Sequence, residues 1–434
     1  MLALCILATS CGSYRSARNQ GRSRLAFRAF VSNPLSVTQL GTGSPALNIV
    51  DASKDVLSLF SVSLLATVPD AGQMALSPNK ARTLVFSPSN NQFAVVDNIT
   101  ETPLSGVSAI GLPGSTESFF ISSDNKTAYA AVPGAVVSGQ PSGVVEQIDI
   151  SRGGITATIP IPGAHYLSAA PSGNQILVFS DNSNLVTLLT PSLLANGNSS
   201  NLQGPCTSTT TVACTIAGFD RPVTGIFNTG GTAAYVLNCG PECGGVASSA
   251  ALLDLSQSPP AVINSVALPA ATAGLLNGST LYVAGTPASP LDDCAGVTTA
   301  APSCGRLSII DVAGFTVTNT APLVITDGRH DRMQMGANGK LFIGATKCSN
   351  VNNSGGEIRG CLTIADTLTG GSAPNIVTPP QIGDVTGIEP VPHRSVVYVC
   401  EGGGMQIYDT ATDKAQTTQV SIVGQAIDVK IVDF

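Results

Sequence analysis

The chain holds only three histidines. One of them, His330, sits in DGRHDR (327–332), the densest charge cluster in the sequence, beside Arg329, Asp331 and Arg332. His165, Glu117, Arg221 and Asp384 stand at comparable points, each at or just ahead of the start of a short apolar run. Imidazole, carboxylate and guanidinium are groups that can hold a small anionic ligand, with an arginine fork (Arg329 or Arg221) donating two parallel N–H bonds to a carboxylate. The other reading of DGRHDR is a solvated turn whose internal ion pairs are worth little. No nucleophile elbow, paired metal-ligand spacing or phosphate loop accompanies these residues. No catalytic residue, metal or cofactor is therefore assigned from them, and Glu117, His165, Arg221, Arg329, His330, Asp331 and Asp384 are the seven candidate ligand contacts.

Eleven cysteines supply the second kind of chemistry. Eight fall into neighbouring pairs inside Gly/Ser/Asn-rich stretches: Cys206 with Cys214, Cys239 with Cys243, Cys294 with Cys304, and Cys348 with Cys361. Local pairs of this kind predict loop-stapling disulfides and an oxidising compartment. NCGPECGG (238–245) has a C-x3-C spacing, but no histidine follows at zinc-site distance, so metal ranks below disulfide. Cys400 ends an apolar strand and reads as a buried free thiol.

The elements that must position these groups are short strands. Charged residues are 11% and hydrophobic ones 43% of 434 residues, with 45 Gly and 28 Pro. That composition excludes a disordered chain, and frequent Gly and Pro at loop-like spacing favour many short strands. Apolar runs break within about ten residues, short of the ~20 a spanning helix needs. A net charge of −7 and the absence of Trp argue against a nucleic-acid partner. The opening MLALCILATSCGSYR reads as a signal peptide over 1–11 ending in a lipobox-like run, with Cys11 the lipidated residue and 12–25 a flexible basic tether. Lipidation anchors a protein to a membrane without spanning it.

A repeat organises the remainder, 26–434. One strand module reads RAFVSN (28–33), TLVFSP (83–88), TAYAAV (127–132), ILVFSD (176–181), AAYVLN (233–238), TLYVAG (280–285), KLFIGA (340–345) and VVYVCE (396–401). Each is followed by a second module, from LNIVDAS to MQIYDTA. A third module, such as SFFISSD and TGIFNTG, occurs seven times, and QAIDVKIVDF at the C-terminus has its spacing without partner strands after it. The last strand is thus expected to complete a unit begun at the N-terminus and close a ring without free edges. The recurring Asp of the second module, at 51, 97, 149, 254, 311, 366 and 409, reads as a turn cap rather than a row of metal ligands. The unit at 164–222 is the weakest, because LVTLLTP lacks that Asp.

Four strands in about fifty residues is the size of a propeller blade, and VEQIDISRGGITATIPIPG (145–163) resembles the YVTN family of β-propeller repeats. The resemblance implies an all-β propeller; the count here is eight four-stranded blades, with the seven common in the family as the alternative. Antiparallel alternation then puts the openings of the innermost strands, and so the seven candidate residues, at one channel mouth. Cys239/Cys243, Cys294/Cys304 and Cys348/Cys361 fall in loops of the same face. His165 and His330, three blades apart, should face each other obliquely, too far apart for one metal, since an imidazole ligand must approach within about 2.1 Å. The expected function is an exported, lipid-anchored binding or scaffold module at the bacterial cell envelope, monomeric, with an envelope protein or small ligand as partner. Two alternatives are a channel-mouth enzyme of the propeller lactonase or lyase type and a structural surface-layer component.

Overall fold

The computed structural model describes residues 22–37, 43–194, 202–207, 211–288, 304–319, 321–348, 361–368, 375–377, 384–417 and 419–434. The expected signal segment with Cys11, and the expected tether up to residue 21, lie outside the described residues.

Eight antiparallel sheets follow one another along the chain, each with its strands stacked from an inner strand A outward to D. The first strand module forms strand B in every blade, for example Thr127–Val132, Ala233–Asn238 and Val396–Glu401. The second forms strand C, and the third forms strand A: Met74–Leu76, Ser118–Ile121, Ala164–Ala169, Pro222–Phe227, Ala273–Asn277, Arg329–Met335 and Val385–Pro390 in blades 2 to 8. Strand A of blade 1 is Asp428–Ile431, which pairs antiparallel with Arg28–Val37 through Ala29↔Ile431, Phe30↔Lys430, Val31↔Val429 and Ser32↔Asp428. The ring is therefore an eight-bladed β-propeller closed by its own C-terminus.

There is no single central core. Alternate side chains of strands B and C face opposite blade neighbours, and eight apolar clusters result, one at each junction between blades. In blade 1, Phe30, Leu47 and Ile49 pack towards blade 2, while Ala29, Val31 and Val50 pack towards blade 8. This explains the near-continuous apolar reading of the modules: a strand buried on both faces shows no polar alternation.

The recurring Asp behaves as a cap in all seven blades that carry it. Asp97 accepts the N–H groups of Ile99 and Thr100, Asp149 those of Ser151 and Arg152, and Asp409 those of Ala411 and Thr412. Asp51, Asp254, Asp311 and Asp366 do the same for one N–H each. Blade 4, which lacks the Asp, departs from the pattern. An extra outer strand, Leu202–Pro205, lies parallel to Ala213–Ile216, and the Cys206–Cys214 disulfide ties them.

The inner edges of the A strands face the channel and would leave backbone N–H groups unpaired. At several junctions a side chain from the preceding blade caps one. Ser118 Oγ accepts Leu167 N–H at 2.9 Å, Ser168 Oγ accepts Gly225 N–H at 3.3 Å, and Asp428 Oδ2 accepts Met74 N–H at 2.9 Å. Glu389 Oε1 accepts Ile431 N–H at 3.1 Å.

Candidate functional site

Four A strands carry the same irregularity near their start. In blade 4 the register jumps between Ala164 and Tyr166, in blade 5 between Pro222 and Thr224, in blade 7 between His330 and Arg332, and in blade 8 between Val385 and Thr386–Gly387. The extra residues are His165, Val223, Asp331 and Thr386. A bulge re-aims the side chain of its extra residue, so His165 turns into the channel mouth. Its counterpart in blade 7 is Asp331. His330 lies one position earlier, on the inward-facing parity.

That offset separates the two histidines. His165 lines a cavity of about 750 Å³ at the mouth. Its Nδ1 is 2.6 Å from Asp181 Oδ1 and its Nε2 is 3.3 Å from Glu117 Oε2. Burial opposes the imidazolium, but the hydrogen bonds to Glu117 and Asp181 outweigh it and hold the His165 pKa above its ordinary value. His330 is 1% exposed, and neither ring nitrogen has a hydrogen-bond partner among the described residues. Desolvation pushes its pKa down to about 4, so it is a neutral buried ring. The expectation that His165 and His330 face each other across the mouth is corrected: the bulge exposes the residue after His330 instead.

Glu117, just ahead of strand A in blade 3, is the hub. Its Oε2 receives His165, the Tyr166 hydroxyl at 3.2 Å and Arg329 Nη2 at 3.5 Å. The His165 hydrogen bond is the main cause of its lowered pKa, with Arg329 adding to it, so the carboxylate stays ionised. Blades 3 and 7 are diametrically opposite, and the Glu117–Arg329 pair spans the mouth between them. Both side chains are about half exposed, so the pair is worth no more than about 1 kcal/mol. A bridge this weak can be opened by a ligand that offers either partner more. Arg329 also stands over the Tyr166 ring at 5.7 Å, and that ring stacks on His165.

Arg221 reaches the same cavity from blade 5. Its backbone is in the left-handed region, φ 54°, where a non-glycine residue is strained. Asn184 Oδ1 accepts its N–H at 3.1 Å and its carbonyl accepts Cys239 N–H at 3.0 Å. The loop stapled by Cys239–Cys243 folds over its stem, so that a Cβ on Gly245 would meet Arg221 Cγ at 2.8 Å. Asp220 Oδ2 fastens that loop through the N–H groups of Val246 and Ala247. The guanidinium itself has no anionic partner among the described residues. Arg332 donates to the Thr386 carbonyl at 3.1 Å and lies 3.8 Å from Asp331. Desolvation raises the Asp331 pKa.

Asp384 does not join the cavity lining. Its Oδ1 accepts Lys347 N–H at 2.8 Å and so fixes the loop after strand B of blade 7. Among the predicted residues, Glu117, His165, Arg221, Arg329, His330 and Asp331 all border the cavity, His330 as a buried ring, and Asp384 does not. Three wall residues were missed by sequence reasoning: Asp181, Tyr166 and Glu242. Asp181 ends the strand module ILVFSD, which with VVYVCE is one of two copies closing on a carboxylate, and it meets His165 of the preceding A strand. Glu242 lies between the stapled cysteines, and desolvation raises its pKa to about 7.

The predicted pairs Cys206–Cys214 and Cys239–Cys243 are formed. Cys304 and Cys348 are disulfide-bonded too. Cys294 and the side chain of Cys361 lie outside the described residues. Cys400 is a buried free thiol.

No protein-family model and no curated protein matches the chain. Solved structures share its fold. The dihydro-heme d1 dehydrogenase NirN in complex with DHE superposes with a TM-score of 0.61 at 13% identity, covering 93% of this chain and 75% of that one. The Dos1 propeller gives 0.54 at 11% identity, covering 82% and 85%. Hydrazine synthase of Kuenenia stuttgartiensis gives 0.53 at 14% identity, covering 81% and 96%. At these identities the likeness is one of architecture alone.

Proposed function

We propose that the protein is an exported, YVTN-type propeller that binds a small polar ligand at its channel mouth, held to the bacterial envelope by a lipid on Cys11. The observation that carries this reading is the cavity itself: about 750 Å³, within the size range of ligand sites, with charged side chains converging from blades 3, 4, 5 and 7. The loop held by Cys239–Cys243 supplies part of its wall, and disulfides of this kind persist in oxidising compartments. No helix among the described residues is long and apolar enough to cross a membrane.

Both nitrogens of His165 are engaged by carboxylates, which suits it to holding those carboxylates in place. The test is thermal-shift and calorimetric titration with small acids, lactones, amino acids and sugars, on the wild type and on Arg329→Ala/Glu117→Gln. A ligand whose affinity falls at least tenfold in the double variant supports the mouth as the site. Silence across the panel, or a ligand indifferent to both substitutions, overturns it.

A further inference from the structure

We propose that the mouth takes a small zwitterion, its carboxylate on the Arg221 guanidinium and its ammonium on the unused oxygens of Glu117 and Asp181. This rests on the reading of the mouth as a ligand site and specifies what fills it.

The charged groups of the wall differ in what they still have to offer a ligand. Arg329 is turned to Glu117, Arg332 to the Thr386 carbonyl and Asp331, and Lys430 to Asp428 at 3.5 Å. Arg221 is different: a half-buried guanidinium on the cavity wall without an anionic partner among the described residues. Its stem is clamped under the Cys239–Cys243 loop and its backbone is strained. A fork held in place before binding loses little side-chain entropy when it meets a carboxylate. One such fork serves one carboxylate.

The acceptors come from the neighbouring blade 4 and from blade 3. All three donors to Glu117 converge on Oε2, and Asp181 receives His165 on Oδ1 alone. Each carboxylate therefore keeps one oxygen that takes no donor among the described residues, and His165 between them fixes both in position. Two carboxylates close to each other ask for at least two donors. An ammonium supplies three, whereas a single hydroxyl supplies one. A simple anion would satisfy Arg221 and leave both oxygens unmet; a simple cation would do the reverse. The net charge of −7 also gives no general attraction for anions.

Calorimetry tests this with glycine, L-alanine, L-serine, L-leucine, L-phenylalanine, β-alanine, 4-aminobutyrate and 6-aminohexanoate, which vary both the side chain and the distance between poles. Each is paired with its N-acetyl derivative, its amide and, for the α series, its 2-hydroxy analogue. At least one zwitterion is expected to bind, with affinity falling tenfold or more on acetylation, on amidation, and in Arg221→Gln. Arg221→Lys, which keeps charge without the fork, should be intermediate, and an unchanged melting temperature in both variants shows that the fold survives. Glu117→Gln and Asp181→Asn should weaken the zwitterion while sparing any binding by the N-acetyl form. An N-acetyl or hydroxy acid that binds as tightly as the parent overturns the ammonium pole and leaves a ligand site for anions. Binding of a sugar or lactone with no zwitterion active overturns the inference and leaves the proposed function standing. Silence from every compound overturns both.

Discussion

Closure of the ring can be measured at Asp433. Its carboxylate receives Arg28 Nε and Nη2 at 2.8 Å each, and the Arg28 backbone N–H at 2.8 Å. Arg28 is 4% exposed, and its Nη1 reaches Glu101 Oε1 at 2.8 Å and the Asn98 carbonyl at 2.7 Å in blade 2. Three parts of the chain distant in sequence thus meet at one guanidinium. Removing one partner of a buried pair costs about 3–5 kcal/mol. Asp433→Ala should cost less, about 2–3 kcal/mol by the same principle, because Asp433 is 18% exposed and Glu101 remains. With about 2.1 cal/mol/K per residue, 434 residues give an unfolding entropy near 0.9 kcal/mol/K, so the melting temperature should drop by about 2–3 °C if unfolding is two-state. Deleting 428–434 is a far larger perturbation. It removes Val429, Ile431 and Val432, all 3% exposed or less, together worth about 5–9 kcal/mol, and bares the inner edge of blade 1. A typical domain has only about 5–15 kcal/mol in total. Urea and thermal unfolding with size-exclusion chromatography is the assay. An Asp433→Ala midpoint within 0.5 °C of wild type, or a truncated chain that stays monomeric with its midpoint unchanged, would refute the closure energetics.

Two buried titratable groups should make stability depend on pH in opposite senses. Glu401 is fully buried with Oε2 unpartnered, and desolvation raises its carboxyl to about 8. Its stabilising contribution is whole below pH ~4.5 and disappears as pH rises through about 8, with a slope approaching about 1.4 kcal/mol per pH unit between them; Glu401→Gln should flatten that fall in chemical denaturation from pH 5 to 8. His330, neutral and pushed down to about 4, contributes stability that is whole above pH ~6.5 and is lost as pH falls towards 4, about 3 kcal/mol in all; His330→Leu should remove that acid-side loss. Replacing Cys239 and Cys243 by Ser should cost about 2 kcal/mol or less, since the closed loop is short, while hydrogen exchange rises locally around Arg221. If Cys11 is lipidated, Cys11→Ser should shift the protein from membrane to soluble fractions, and the acyl mass should vanish from the N-terminal peptide.

The strands were legible because their burial is extreme. A B strand such as VVYVCE is buried at every position, so no surface requirement dilutes its pattern, and eight copies align by eye. The closing strand was legible because IDVKIV repeats the inner-strand spacing of the third module. Blade 4 was legible only as an exception. Losing the capping Asp flagged it, but no local signal announces that Leu202–Pro205 adds a parallel outer strand, because that pairing depends on a long excursion returning to Ala213–Ile216.

The site was half legible, and the reason lies in one residue of register. Counting from the strand modules puts His165 and His330 at equivalent openings of strand A. The structure places a bulge at His165 in blade 4 and at Asp331 in blade 7. In a strand, a shift of one position exchanges the two faces, so one histidine turns into the mouth and the other into the wall. The bulged residues themselves are His, Val, Asp and Thr, and Pro222 and Gly387 flank only two of the four, so no common residue marks them. The structure does give a rule that sequence counting can use. Where strand A opens with this bulge, the residue to weigh for chemistry is the one that has lost its cross-strand partner. Applied here, that rule selects His165 and Asp331 and passes over His330. It therefore predicts that His330→Leu leaves ligand affinity unchanged while His165→Leu, which removes the group holding both Glu117 and Asp181, lowers it at least tenfold in the same calorimetric assay. Equal losses in the two variants would show that the bulge does not decide which side chain meets the ligand.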